Sequence, residues 1–456
     1  MKNPPRLLFS AFVSLLLFSR LAAAEYFVAP DGKNTNPGTL AAPFATIQRA
    51  QESVNPGDTL FIRGGTYKVK PTELARVSGI YAYIFDLSKS GTESSPIKYW
   101  AYKDEKPVFD FSDVKPSGLR VVAFFVGGDW LHLRGFEVTG VKVTLTNHTQ
   151  SESFENQGNH NIYERLAMHD SMAIGLYLIR GGNNLILNCD AYRNWDNLSE
   201  NGKGGNTDGF GGHPRKGDAG NVFRGDRSWF NSDDGYDCIN AGEAVTFDHC
   251  WSMYNGFSTD FRSLGDGNGF KAGGYGAAGR ATPNPIPRHV VEFCLSVRNK
   301  ASGFYSNHHA GGSDWISNSA FGNATNFNML CVLADNRTNV PGYGHFMRNN
   351  LGFLGRSELA NFDAAKCDAN HNYFDLTPAV NVTAADFVSL DEAQLTASRK
   401  PDGSLPDITF MHLVRGSPLI DAGIDAKFPF KGARPDLGAF EYHPAPAKSD
   451  AAPAAK

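Results

Sequence analysis

Apolar and polar positions alternate along most of the chain, but only in short runs before Gly, Asn or Asp interrupts them. Residues 161–166 (NIYERL), Val245–Asp248 and 289–293 (HVVEF) all read this way. A period of two marks strands with one buried face, and the interrupting residues mark turns. A helical solenoid would carry 3.6-residue spacing over ten or more residues in each unit, and that pattern is absent. One stretch differs. Residues 43–54 (PFATIQRAQESV) place Phe44, Ile47 and Ala50 at helical spacing, just before a turn and a first strand in GDTLFIRGGTY (57–67). This predicts an amphipathic helix that covers the open apolar end of a stack of strands.

The runs belong to a repeat. Six segments carry a small polar or His anchor followed by a Gly-aromatic or similar pair; the anchors are His169, Asn194, Asn231, Asn255, Asn299 and Asn323. Their separations are 25, 37, 24, 44 and 24 residues, a unit of about 24 with inserts of about 13 and about 20. Both inserts fall between the anchor Asn and the next Gly-aromatic pair, and inserts on one face of a solenoid commonly build its functional surface. An Asn repeated at a turn can hydrogen-bond to its counterpart in the next unit as an internal ladder. The predicted fold is all-β: a single-domain right-handed parallel β-helix over residues 25–442, with an N-terminal capping helix and loop insertions. The handedness follows from the general rule for parallel crossovers. Residues 25–70 read as the N-terminal cap and first strand. Residues 405–442 read as a C-terminal cap, built from strand and turn pieces in SPLIDAG (417–423) and RPDLGAFEY (434–442). The Ala-, Pro- and Lys-rich 443–456 reads as a disordered tail.

Composition narrows the setting. Gly is 48 of 456 residues, above the usual ~7%, as a turn-rich chain requires. Formal net charge is −4, so no nucleic-acid footprint is expected. Lys2 and Arg6, the apolar 7–18 and Ala22-Ala23-Ala24 have the form of an export signal over residues 1–24. The apolar stretch is shorter than the ~20 residues of a membrane span. The expectation is a secreted or periplasmic monomer with no membrane partner. Six Cys without a CxxC pair argue against a structural zinc site. Cys250 and Cys294 each precede an anchor Asn by five residues and should be neighbours, as a disulfide or as stacked thiols.

Alignment on the Gly-aromatic pair carries the chemistry. The quartets are Asp208-Gly-Phe-Gly, Asp234-Gly-Tyr-Asp237, Asn268-Gly-Phe-Lys271 and Ser302-Gly-Phe-Tyr305. Equivalent positions in successive coils lie about 4.8 Å apart, so Phe210, Tyr236, Phe270 and Phe304 should stack inside. Asp208 and Asp234 then stack, with Asp233 beside them and Asp237 one coil from Lys271. Like charges this close repel and raise one another's pKa. A hard cation such as Ca²⁺, which takes six to eight oxygens, accounts for the cluster better than solvated turn aspartates or a lone Asp237–Lys271 pair. A cation and a partly dehydrated groove would disfavour the Lys271 ammonium and prepare it as a general base. A strong base beside Ca²⁺ suits β-elimination on a uronic acid.

The strings NTDGFGG (206–212), NSDDGYDCINAG (231–242) and GNGFKAGG (267–274) resemble polysaccharide lyase family 9, the β-helical, calcium-dependent pectate lyases. The resemblance implies Asp208, Asp233, Asp234 and Asp237 as Ca²⁺ ligands, Lys271 as the proton-abstracting base, and an acidic plant cell-wall polysaccharide as partner. That polymer is pectate or, in the same family, rhamnogalacturonan I. Arg215, Lys216, Arg262, Arg280 and Arg288 lie in or near the inserts and are candidates for sugar carboxylates, as is His308 one coil beyond Lys271; exposed solubilising charge is the alternative for each. A β-helical polygalacturonase-type hydrolase is a rival reading, but its Gly-His-Gly and Arg-Ile-Lys strings are missing. A non-catalytic carbohydrate-binding β-helix would need no focused carboxylate–lysine cluster.

Overall fold

The computed structural model of the protein describes residues 23–147, 150–276, 279 and 281–443. The expected export signal, apart from Ala23 and Ala24, and the expected disordered tail beyond His443 lie outside them. Strands from successive coils join three long sheets of twelve, ten and eleven strands, in which all long-range pairings are parallel. The third sheet runs from Arg76–Ser78 and Tyr81–Leu87 through Ile174–Leu178, Phe210–Gly212, Tyr236–Asp237, Phe270–Lys271 and Ser302–Tyr305 to Ser357–Ala360. This is a parallel β-helix. No helix among the described residues is long and apolar enough to cross a membrane.

The register follows the quartets. Phe210 pairs with Tyr236, Tyr236 with Phe270 and Phe270 with Phe304. Their rings stack inside at 5.1, 4.6 and 5.2 Å and continue to Phe327 at 5.0 Å, each contact adding about 0.5–1.5 kcal/mol beyond burial. The quartet glycines have a steric cause. A Cβ at Gly209, Gly235 or Gly269 would lie 2.2–2.3 Å from the hydroxyl of Ser228, Ser252 or Ser296, because the lumen is narrow where the second and third sheets converge.

The Asn ladder is present. Asn194 Nδ2 donates to Asn231 Oδ1 at 2.9 Å, Asn231 to Asn255, Asn255 to Asn299 and Asn299 to Asn323 at 3.1 Å each. His169 is not its first rung. His169 pairs with Tyr192, two residues early, and it is the Ser171 N–H that donates to Asn194 Oδ1; the His169 ring stacks outside on Tyr192. Two further Asn ladders, absent from the sequence reading, occupy other columns of the coil: Asn161, Asn184 and Asn221 at the start of strands of the first sheet, and Asn318, Asn350 and Asn372 in the column that contains Cys250 and Cys294.

The ends differ from expectation. The helix spans Ile47–Ser53 rather than starting at residue 43, because the Phe44 N–H is committed to Phe27 O and the Thr46 hydroxyl caps the Arg49 N–H. Ile47 and Ala50 are buried, so the helix does cover the coil end. Residues 417–423 and 434–442 form no strands. The chain from about 376 folds back over the second sheet, burying Phe387, Leu395, Phe410, Leu419 and Leu437 on Trp251, Leu295 and Phe321. Arg227 and Arg399 both bind Asp190 and fasten that segment. Phe362, Tyr373 and Phe374 pack against the last coils of the core. All six cysteines are free thiols, with the Cys250 N–H donating to Cys294 Sγ at 3.4 Å.

Candidate active site

The outward positions of the third sheet form the floor of a cleft. In this column Gly211, Asp237, Lys271 and Tyr305 follow one another in adjacent coils. Beside it stand Asp208, Asp234, Asn268 and Ser302, linked by a polar ladder. Asp208 Oδ1 accepts the Asp234 N–H at 3.0 Å, Asp234 Oδ1 accepts the Asn268 N–H at 2.6 Å, and Asn268 Oδ1 accepts the Ser302 N–H at 3.1 Å. Each carboxylate spends one oxygen on a backbone donor of the next coil, which fixes its rotamer and leaves the other oxygen for the cleft.

Lys271 Nζ lies 2.9 Å from Asp234 Oδ2 and 3.1 Å from Asp237 Oδ2, with 11% of its side chain exposed. Burial pulls the ammonium's pKa down, but Asp234, Asp237, Asp233 and Asp208 outweigh it and hold the pKa well above the usual lysine value. Burial, reinforced by the neighbouring carboxylates, pushes Asp208 and Asp233 well up; Asp234 is also raised, by burial against the pull of Lys271. Among the protein's own groups, then, the expected lowering of Lys271 is absent, since one amine faces four carboxylates.

That imbalance fits a cation. Oxygens of Asp208, Asp234 and Asp237 lie within 4.8 Å of one another, and the buried Asp234 Oδ2 has no partner beyond the Lys271 ammonium among the described residues. Asp233, Asp234 and Asp266 form an overlapping group, in which Asp233 Oδ1 accepts the Asp266 N–H at 2.7 Å. The donor set is all oxygen, as Ca²⁺ prefers.

A cleft of about 610 Å³ opens over these groups. Tyr177 and His213 form its wall beside Gly211, where a Cβ would strike the Tyr177 ring at 2.6 Å and His213 Nε2 at 2.8 Å. His213 Nδ1 lies 2.6 Å from Ile239 O, and burial lowers its pKa, which leaves a neutral ring donating from Nδ1.

The solved structure of a rhamnogalacturonan lyase is 45% identical to this chain, with a TM-score of 0.83, over 86% of this chain and 97% of the other. The crystal structure of the pectate lyase Pel9A is 32% identical, with a TM-score of 0.72, over 93% and 98%. Pectate lyase L of Dickeya chrysanthemi is 34% identical over 427 residues, 91% of this chain and 90% of the relative. The profile described as Pel9A-like, right handed beta helix region, matches residues 26–350. The chain belongs to the Pel9A-like β-helix family.

Asp208, Asp233, Asp234, Asp237 and Lys271 thus come together in a family fold. The cationic candidates separate. Arg215 and Lys216 line the cleft; the Lys216 ammonium donates to Asn284 O at 2.6 Å, whereas the Arg215 guanidinium has no partner among the described residues. Arg262 does not line the cleft but lies 4.8 Å above the Trp195 ring. Arg288 is paired with Asp314. Arg280 falls outside the described residues. His308 lines an adjoining cavity, with Nδ1 2.8 Å from Asn339 Oδ1. The sequence reading missed Asp266, Tyr177 and His213. Two of these carried a signal: Tyr177 ends the quartet Ile174-Gly-Leu-Tyr177 one coil before Gly211 in the column of Asp237 and Lys271, and Asp266 lies five residues before Lys271.

Proposed function

We propose that the protein is a calcium-dependent polysaccharide lyase that cleaves pectate or a related pectic uronate polymer by β-elimination, with Lys271 as base. The observation that carries this reading is one amine held between Asp234 and Asp237 on the floor of an open cleft, beside a carboxylate cluster in excess over it. Asp208, Asp233, Asp234 and Asp237 would hold Ca²⁺. When bound, the ion neutralises the uronate carboxylate, acidifies the C5 proton and relieves the hold of the carboxylates on the Lys271 proton. Neutral Lys271 then takes the C5 proton on Nζ. The C–H electron pair forms the C4–C5 double bond, the C4–O bond breaks with its pair on the leaving oxygen, and solvent protonates that oxygen. Tyr177 and the neutral His213 present an uncharged wall to the sugar beside the base.

The 45% identity to a rhamnogalacturonan lyase favours rhamnogalacturonan I as a second reading of the substrate. The export-signal form of residues 1–24 supports action in the periplasm or outside the cell. The test is absorbance of unsaturated uronate from polygalacturonate and, separately, from rhamnogalacturonan I, with calcium or chelator. Calcium-dependent absorbance from one polymer is expected, and Lys271→Ala abolishes it while leaving the fold. New reducing ends without absorbance would make the protein a hydrolase.

A further inference from the structure

The catalytic cleft continues past Lys271. A second cavity of about 270 Å³ meets the first at Ile239. It spans the coil of the base, through Tyr275, and the two that follow, through His308 and Arg337, so it reaches roughly 10 Å along the helix axis. Its lining among the described residues is neutral or basic and contains no carboxylate, unlike the acidic cleft beside it.

The element that carries Arg337 is an insert held on several sides. The antiparallel hairpin of Cys331–Val332 and Asn339–Val340 is closed by Asp335, whose carboxylate accepts the N–H groups of Arg337 and Thr338 at 2.9 Å each and the Thr338 hydroxyl at 2.6 Å. The hairpin is tied down by Tyr343, whose hydroxyl bridges Val332 O at 2.8 Å and Ala310 O at 2.6 Å, and by the His308–Asn339 contact. Asp335 is therefore spent on its own turn, and the exposed guanidinium of Arg337 forms no hydrogen bond or ion pair among the described residues. Tyr275, on the same cavity, is 4% exposed and its hydroxyl has no hydrogen-bond partner among the described residues. A braced hairpin that presents an unpaired guanidinium, opposite a buried unsatisfied hydroxyl, has the form of a carboxylate receptor.

We infer that this cavity is a distal subsite for a uronate residue of the polymer, whose carboxylate Arg337 receives and whose hydroxyls meet Tyr275 and Asn307. The inference rests on the proposed uronate-lyase reading for the identity of the polymer, but its test does not depend on turnover. In a Lys271→Ala background, calorimetric titration with an oligogalacturonate hexamer compares Arg337 with Arg337→Gln and Arg337→Lys. Binding should weaken roughly 5- to 30-fold in Arg337→Gln, the loss of one solvent-facing charge-assisted contact, with partial recovery in Arg337→Lys. A disaccharide too short to span both cavities should bind equally to all three. In the active protein, Arg337→Gln should shift the bond at which the hexamer is cut. Equal hexamer affinities across the three proteins, or no hexamer binding at all, would overturn the subsite. Absent turnover with intact Arg337-dependent binding would overturn only the lyase reading.

Discussion

On the proposed reading, Lys271 and a bound cation would compete for the same oxygens, and Lys271→Met separates their effects. The ammonium sits 2.9 and 3.1 Å from Asp234 and Asp237 in a cluster whose carboxylates are almost wholly buried. Removing one partner of a buried ion pair costs about 3–5 kcal/mol, because the other charge is left uncompensated. Here Asp208, Asp233 and Asp234 already have raised pKa values and can take up protons instead, so the cost should be near the lower figure at pH 8 and smaller at pH 6. With unfolding entropy of about 2.1 cal/mol/K per residue, ~3 kcal/mol in a chain of 456 residues is a fall of about 3 °C in Tm, measured in chelator. Calcium should reverse the order. An ammonium and a divalent ion on shared carboxylates repel by several kcal/mol even at an effective dielectric constant of about 20. Relief of only ~1.4 kcal/mol of this would tighten calcium binding tenfold. The variant should therefore be inactive, less stable without calcium, and a better calcium binder than the wild type by calorimetry. Equal or weaker calcium affinity in Lys271→Met would show that the ion does not share Asp234 and Asp237 with the amine, and the site as described would be wrong.

Three other outcomes follow from particular groups. Because the carboxylates hold Lys271 protonated, kcat/KM at saturating calcium should rise with pH into the alkaline range, and a profile that falls above pH 8 would count against a lysine base. Burial lowers His309 and His345 to about 4. Between about pH 4 and 6.5 each is neutral when folded and protonated when unfolded, so full stability is present above pH 6.5 and about 3 kcal/mol for each is lost as pH falls toward 4. Denaturant melts of His345→Gln should show a shallower acid loss than the wild type, and parallel curves would refute the assignment. Asn255→Ala removes donors to Ser228 O, Ser252 Oγ and Asn299 Oδ1 and an acceptor for the Asn231 N–H. It should cost about 3 kcal/mol in urea unfolding, and a cost under ~1 kcal/mol would mean the ladder relaxes.

What the sequence exposes is whatever recurs. The aromatic stack and the Asp–Asp–Asn–Ser ladder were legible because both inserts fall before the Gly-aromatic pair, leaving the count within each quartet undisturbed. A parallel sheet then turns equal position into contact. The same logic explains the error at His169, where spacing alone chose a residue two places from Ser171, and a side chain that points outward was placed in the lumen. The C-terminal segment was misread for another reason. Its apolar residues bury on the outer face of a sheet without joining it, so they make clusters with no strand period. The matching sign was the apolar outward positions of the second sheet, such as Trp251, Leu295 and Phe321, which need a cover.

The cleft divides along the same line. The repeat supplies Lys271, the proposed base, and the four carboxylates that face it, side chains whose geometry is set by the coil spacing. The inserts supply Asp266 and Arg337, which have no counterpart one unit away and no register from which a position could be deduced. Elimination needs the first set held to within a fraction of an ångström, and the sheet provides that rigidity. Choosing between polymers that carry a uronate at every sugar or at alternate sugars needs contacts further along the chain, which loops can vary without disturbing the coils. Specificity within this family should therefore vary with residues such as Arg337 on the inserts. Exchange of the 331–340 hairpin for that of a relative acting on the other polymer should move the cleavage pattern while leaving the calcium dependence unchanged. A hairpin exchange that altered calcium dependence instead would show that the two parts of the cleft are not separable.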